Sequence, residues 1–291
     1  MELDLAFLEK VKKIAIIAMV SDDYLMDTLV LKGGTAIDLI YDISDRASID
    51  IDFSIVSEFE KTEIKAIESK IKKVLSETFN RENLVAFDIK FIERPQKKQK
   101  DIEKFWGGYC VEFKVIPKDL YEKNRKDISL LRKTASIVGP DNKRTFVIDI
   151  SKFEYCRGRK KEDLSGYTVY VYTPEMIVFE KIRAICQQLP EYKKIIKTQT
   201  PNPRAKDFFD IYIVMKNFSI DLYSDVSKEI LKKIFKAKKV PFVYLQKIRE
   251  HKEFHRGGYP SLQDTVRKAA KLKEFDFYFD YVVERIEKIL S

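Results

Sequence analysis

The period of the apolar residues changes along the chain, and that change divides it. Over 5–20 the apolar positions recur at three- and four-residue spacing, which predicts an amphipathic helix. A short apolar strand over 28–32 and a helix over 35–43 follow. Next, the run Ile49, Asp50, Ile51, Asp52, Phe53 alternates with period 2, as a half-buried strand does. A lysine- and glutamate-rich amphipathic helix is predicted over 58–79. Alternating strands then fall over 84–92 and 109–116, separated by a loop containing Pro95 and Gly107-Gly108, with a further strand over 145–151. After about residue 170 alternation gives way to helical spacing, opened by Thr173 as a cap with Pro174 in the first turn and continuing to Leu290. The expected architecture is therefore α/β (α+β), with a small mixed sheet in a domain over 1–170 and a helical domain over 171–291 completing a cleft. The boundary is expected within 167–172. No internal repeat or low-complexity linker interrupts this plan.

Alternation also sorts the chemistry. Ile49, Ile51 and Phe53 share one face of their strand and the carboxylates of Asp50 and Asp52 the other, roughly 6.5 Å apart along it. Both can converge on Mg²⁺, a hard cation that takes oxygen ligands and shares them with substrate phosphates. Just upstream, Gly33 and Gly34 lie between a strand and a helix, where bare N–H groups and the positive helix end favour a phosphate. In the strand over 145–151, Val147, Asp149 and Ser151 share a face, so Asp149 can join Asp50 and Asp52 if the strands pair. Asp88 and Glu112, also on predicted strands, compete for that third position. Three such carboxylates suit two ions roughly 3.5–4 Å apart, the arrangement that in-line transfer of a nucleotidyl group requires.

On the helix opened by Pro174, Val178, Ile182, Ile185 and Leu189 form an apolar stripe, and Lys181 lies about 80° from its centre. From that boundary position a lysine can bury its stem and extend its ammonium to a phosphate in a cleft. In the next helical run, PRAKDFFDIYIVM, Phe208, Ile211, Tyr212 and Met215 form the apolar face, with Asp207 and Asp210 on its flank. His251 and His255 stand at i and i+4, but no further histidine or nearby cysteine completes a metal shell, so both read as surface helix residues.

With 291 residues, 45% hydrophobic and 35% charged, the chain can build a sizeable core, which excludes a disordered chain. Its longest apolar stretches, such as 14–20, fall short of the ~20 residues that a membrane span needs. The acidic Glu2, Asp4 and Glu9 argue against a signal peptide, so a cytoplasmic protein with no membrane partner is expected. Cys110, Cys156 and Cys186 lack paired spacing and read as reduced, buried thiols. The net charge of +9, with clusters at Lys97, Lys98 and Lys100, at Lys160 and Lys161, and at Lys236, Lys238 and Lys239, suits either a polyanion such as RNA or solvated helix faces. No aromatic residues interleave with these clusters in the pattern of an RNA-binding module.

In order, LKGGTAIDLIY, RASIDIDFS, TPEMIVFEKIRAI and RAKDFFDIY resemble the AbiEii/AbiGii toxin family of nucleotidyltransferases, within the DNA polymerase β-type superfamily; the resemblance covers 29–215. It implies that Gly33, Gly34 and Thr35 bind nucleotide phosphates, that Asp50 and Asp52 hold the metal, that Lys181 contacts phosphate, and that Asp207 or Asp210 completes the active site. It also implies a toxin of a toxin–antitoxin or phage-defence system, some relatives transferring nucleotides onto tRNA. The superfamily's glycine-serine pair stands here as Gly34-Thr35, which keeps a hydroxyl and adds a methyl, and beyond Lys216 no family motif is found.

The expected activity is thus an Mg²⁺-dependent transfer, with Mn²⁺ as a substitute ion, of a nucleoside monophosphate from an NTP onto a hydroxyl of RNA or tRNA. A cognate antitoxin is the expected protein partner. Two other classes fit the same motifs. A small-molecule, aminoglycoside-like nucleotidyltransferase would show an acidic acceptor pocket, and a non-catalytic binder of RNA or antitoxin would lack productive metal geometry.

Overall fold

The computed structural model describes residues 4–43, 46, 48, 50–96, 100–139, 142–266 and 271–290. Ile49 of the alternating run, and Lys97 and Lys98 of the first lysine cluster, lie outside the described residues.

Helix α1 (Leu5–Val20) has the expected bounds, because Asp4 caps it by accepting a hydrogen bond from the Phe7 N–H at 3.0 Å. A second helix, α2 (Asp23–Thr28), takes up the start of the expected strand: the Thr28 hydroxyl donates to the Tyr24 carbonyl one turn back, at 2.7 Å. Strand β1 (Val30–Lys32) is therefore short, and all of it is buried. Helix α3 (Gly33–Thr35) widens into a π turn over Ala36–Ile40, ending before the expected residue 43. Strand β2 (Ile51–Ser54), helix α4 (Ile64–Arg81), and strands β3 (Leu84–Arg94) and β4 (Gly108–Pro117) follow. Two short helices, α5 (Lys118–Asn124) and α6 (Ile128–Thr134), lead to strand β5 (Phe146–Ser151).

Strands β6 (Lys160–Leu164) and β7 (Tyr167–Val171) form an antiparallel hairpin that periodicity did not indicate. The sequence KKEDL lacks an apolar alternation because β6 is an edge strand, and charged residues keep such an edge from pairing with another chain. By contrast β7 is interior to the sheet: Val169 and Val171 are fully buried, and it pairs in parallel with β1.

Among the described residues the sheet has seven strands in the order β3-β4-β5-β2-β1-β7-β6, with β2 and β5 parallel and β1 and β2 antiparallel. The fold class is the expected α/β with a mixed sheet. Helices α1 and α4 pack on each other, α1 against β7 and α4 against β3, covering one face of the sheet. Ile51 and Phe53 are buried, and the pleat sends Asp52, between them, to the opposite face.

The C-terminal part is helical: α7 (Pro174–Cys186), α8 (Ala205–Asn217), α9 (Asp225–Ala237), a 3₁₀ segment Phe242–His251, α10 (Lys252–Arg256), α11 (Tyr259–Gln263) and α12 (Phe275–Leu290). Thr173 caps α7 as expected, its hydroxyl accepting from the Met176 N–H at 3.2 Å. Aromatic packing fixes α12 on α8: the Phe208 ring lies 5.0 Å from Phe279 and Tyr212 lies 4.9 Å from Tyr281, centre to centre. Each buried aromatic ring contributes about 1.5–3 kcal/mol, enough to hold a helix whose polar face is solvated. Cys110, Cys156 and Cys186 are free and buried, and no described helix is long and apolar enough to cross a membrane.

Candidate active site

Strand register creates one row of side chains across the face of the sheet opposite α1 and α4. Lys32 on β1 pairs with Asp52 on β2, Asp52 with Asp149 on β5, and Asp149 with Cys110 on β4, and partners in register share a face. Asp50, exposed, stands two residues before Asp52 at the entrance to β2. Asp50, Asp52 and Asp149 all line a cleft of about 1020 Å³ between the sheet and the C-terminal helices. Asp88 and Glu112 do not. Asp88 sits on edge strand β3 and accepts two hydrogen bonds from Arg132, at 3.0 and 2.8 Å, while Glu112 accepts from Arg94 at 2.9 Å.

Negative charge is crowded in this row. Burial pushes the Asp52 carboxyl up to about 6, with Asp50, Glu180 and Asp149 adding to the rise and Lys32 opposing it. Burial also raises Asp149, against the pull of Arg94. Surplus carboxylate at a cleft suits a divalent cation. Among the described residues no three acidic, histidine or cysteine side chains close around one point. That donor set fits Mg²⁺, which keeps several waters and takes further oxygens from substrate phosphates rather than from an all-protein cage.

The glycine pair abuts the same row. Gly33 has φ +70°, and a Cβ there would lie 2.7 Å from Asp52 Oδ2; one at Gly34 would lie 2.8 Å from Ser48 Oγ and 2.9 Å from Arg46 Nη2. Only glycine lets the backbone pass this close to the carboxylate. Thr35 is buried beneath the turn, where its hydroxyl donates to the Asp50 carbonyl and lies 3.4 Å from Ser48 Oγ. From α1, the buried Lys12 donates to the Ser48 carbonyl at 2.5 Å and to Asp38 at 3.1 Å, tying the segment before β2 to the turn.

Across the cleft, Lys181 is buried with its stem, and its ammonium lies 2.9 Å from Asp207 and 2.7 Å from Asp210. Asp210 also accepts a bidentate pair from Arg46, at 2.7 and 2.5 Å. Burial alone would raise the Asp210 carboxyl, but Arg46 and Lys181 override it and hold it down to about 2. Burial likewise works against the Lys181 ammonium, and Asp207 and Asp210 outweigh it, so the lysine stays charged. Both aspartates are thus positioned to orient Lys181.

A second set of charges lies in the same cleft. Lys32 Nζ is 3.2 Å from Ser151 Oγ, 3.4 Å from Glu154 and 3.6 Å from Glu180. Arg183 contacts Glu180 at 2.7 Å and Glu154 at 3.8 Å, and Lys238 reaches Glu154 at 3.4 Å. Against burial, Lys238, Lys32 and Arg183 hold the Glu154 carboxyl down to about 2.

Sequence reasoning assigned none of Lys32, Arg46, Glu154, Glu180, Arg183 or Lys238 to the cleft. Lys32, Arg46, Glu180 and Arg183 stand inside the motifs quoted above, yet a single charged residue in a motif has no readable role until its partner across the fold is known. Two readings are corrected. Lys238 is buried, so the third lysine cluster is not wholly a solvated face. His255 is fully buried and not a surface residue: it packs 5.2 Å from Phe208, and its Nδ1 accepts from the Arg204 N–H at 3.2 Å.

A family model described as nucleotidyl transferase AbiEii toxin, type IV toxin–antitoxin system, matches residues 16–281. No curated protein matches the sequence. Among solved structures, the fold is similar to MenT4, a nucleotidyltransferase toxin from Mycobacterium tuberculosis H37Rv, at 11% identity, covering 99% of this chain and 84% of that one with a TM-score of 0.48. It is also similar to an antigenic nucleotidyltransferase-like protein from Paracoccidioides brasiliensis, at 16% identity, covering 82% of this chain and 94% of that one with a TM-score of 0.37. The sequence match spans most of the chain, and it decides the assignment. The chain belongs to the AbiEii family of nucleotidyltransferase toxins of type IV toxin–antitoxin systems, enzymes that draw on an NTP and a divalent metal ion.

Proposed function

We propose that this nucleotidyltransferase is Mg²⁺-dependent and moves a nucleoside monophosphate from an NTP onto a hydroxyl of RNA, with tRNA the foremost candidate. The observation that carries this reading is the contact between turn and row: Gly33 lies so close to Asp52 Oδ2 that one bound triphosphate can touch both. Asp50, Asp52 and Asp149 would hold metal along the row, with waters and substrate phosphates completing its shell, and the metal would neutralise phosphate charge and lower the pKa of a bound hydroxyl. Gly33 and Gly34 receive the triphosphate, with Thr35 bracing the turn against Asp50. Lys181, oriented by Asp207 and Asp210, balances charge developing on the transferring phosphoryl group. The acceptor oxygen bonds to the α-phosphorus as the bond from that phosphorus to the pyrophosphate oxygen breaks. The hydroxyl proton passes to a carboxylate of the row, because Asp210, held near 2, is too weak a base.

The sheet-bearing residues 1–170 and the helical residues 171–291 supply opposite walls of the cleft, and we read them as two domains acting together in the cytoplasm. Arg94, Lys143, Arg204 and Lys206 on the cleft lining favour a polyanionic acceptor over a cationic small molecule. Membership of a toxin–antitoxin family implies a cognate antitoxin.

Incubation with Mg²⁺, labelled NTPs and total RNA, with Asp52→Ala as control, tests the reading. Label in RNA that the variant loses is the expected result. Label on small molecules would replace RNA as the acceptor, and no label with any acceptor would reduce the protein to a binder.

A further inference from the structure

The cleft holds more positive charge than the triphosphate seat uses. Lys32, Arg183 and Lys238 converge on Glu154 and Glu180, Lys32 also standing beside Asp52, and all of these groups line the cleft. The three cations are each less than a tenth exposed, and Arg183 Nε has no hydrogen-bond partner. Burial works against all three charges, and an arriving anion offsets that cost, most of all at Lys238, which the carboxylates compensate least. Arg46 and Lys181 are taken by Asp210 and Asp207, whereas Lys32, which directly precedes the glycine turn, sends its ammonium away from it across β2 to Ser151 on β5.

Its surroundings point to a nucleotide. Trp106, half-buried on the cleft lining, lies with its ring centre 5.8 Å from Lys238 Nζ. Outside, the exposed Lys239 sits 4.2 Å over the Phe105 ring, and exposed Lys232, Lys233 and Lys236 continue along α9. An aromatic platform beside buried cations, opening onto a basic rim, is how single-stranded nucleic acid is gripped: bases stack and phosphates pair.

Resting on the RNA reading above, we infer that the cleft on the Trp106 side is the acceptor subsite, where a single-stranded RNA end stacks on Trp106 and places a backbone phosphate on Lys32, Arg183 and Lys238. The hydroxyl then approaches the carboxylate row from the Trp106 side of the cleft. Glu154 and Glu180 hold the three cations in place before the phosphate arrives.

Trp106 is the only tryptophan of the chain, so its emission reports this subsite directly. Titrating Asp52→Ala protein with a single-stranded RNA hexamer should quench that emission saturably, and less so as salt is raised. In the active enzyme, Trp106→Leu and Lys238→Met should raise the KM for RNA by about tenfold or more and leave the KM for NTP within about twofold, with Lys238→Arg recovering part of the loss. Should Lys238→Met fail to fold, Lys239→Glu on the exposed rim should still raise the RNA KM by about two- to fivefold. If wild-type protein labels RNA, yet the hexamer leaves Trp106 emission unchanged and these variants keep a wild-type RNA KM, the subsite is wrong and the RNA reading stands. If wild-type protein labels no RNA, both fall together.

Discussion

Asp52 and Asp210 are both acidic, both near the cleft, and held in opposite electrostatic states. Burial, with like charges adding to it, pushes the Asp52 carboxyl up to about 6, whereas Asp210 sits between Arg46 and Lys181 and is held down to about 2. Their removal should therefore separate activity from stability. Asp52→Asn relieves the crowding, so the metal-free protein should melt no lower than wild type while transfer falls by about a thousandfold or more. Asp210→Asn leaves Arg46 and Lys181 without their shared partner and should cost about 3–5 kcal/mol, read by urea unfolding. If the two variants were equally destabilised, the division of roles would be wrong. Burial pushes the His255 imidazole down to about 4, whereas in the unfolded chain it titrates near 6.5. The unfolded state therefore takes up the proton first as pH falls. Stability tied to His255 is full above about 6.5 and is lost progressively down to about 4, by about 3 kcal/mol in all. Unfolding curves at pH 7 and pH 5 should differ in wild type, and the difference should shrink in His255→Gln.

At the scale of elements, local signals were legible and long-range ones were not. α1 carries its own cap and a full apolar stripe, so its bounds follow from sequence. Strand β5 could be read because it alternates, and its register with β2 places Asp149, rather than Asp88 or Glu112, beside Asp52. The hairpin of β6 and β7 was missed since an edge strand need not alternate, and β7 looks like a boundary until its pairing with β1 is seen. The carboxylates and glycines of the cleft were visible as motifs. The second charge cluster was not: Glu154, Arg183 and Lys238 come from three separate stretches and meet only in the fold. The turn after β1 leaves no room for a side chain. Gly33→Ala places a methyl against Asp52 at a positive φ, and should abolish detectable transfer and lower stability by about 1–3 kcal/mol. Thr173→Ala removes only a cap and should cost about 1 kcal/mol with transfer retained, so thermal unfolding and transfer assays together tell the two apart.

For the molecule as a whole, the net charge of +9 is divided between structure and surface. Lys12, Lys32, Lys181 and Lys238 are buried in ion pairs or hydrogen bonds, whereas Lys160 and Lys161 lie exposed on the edge strand and Lys236 and Lys239 at the cleft rim. Each cation that pairs with an RNA phosphate, at the rim or inside the cleft, adds to the salt dependence of binding. The sheet and the C-terminal helices face each other across the cleft, Asp50, Asp52 and Asp149 on one wall and Lys181 on the other, so the proposed mechanism draws on both walls. The most direct measurement is pyrophosphate release in Mg²⁺ with NTP and RNA, comparing wild type with Asp52→Ala and Asp149→Ala at matched folded concentration. We expect one pyrophosphate per nucleotide incorporated in wild type and neither product above background in either variant. Wild-type rates in Asp52→Ala would contradict the account, because the row of carboxylates beside the glycine turn would then have no part in the reaction.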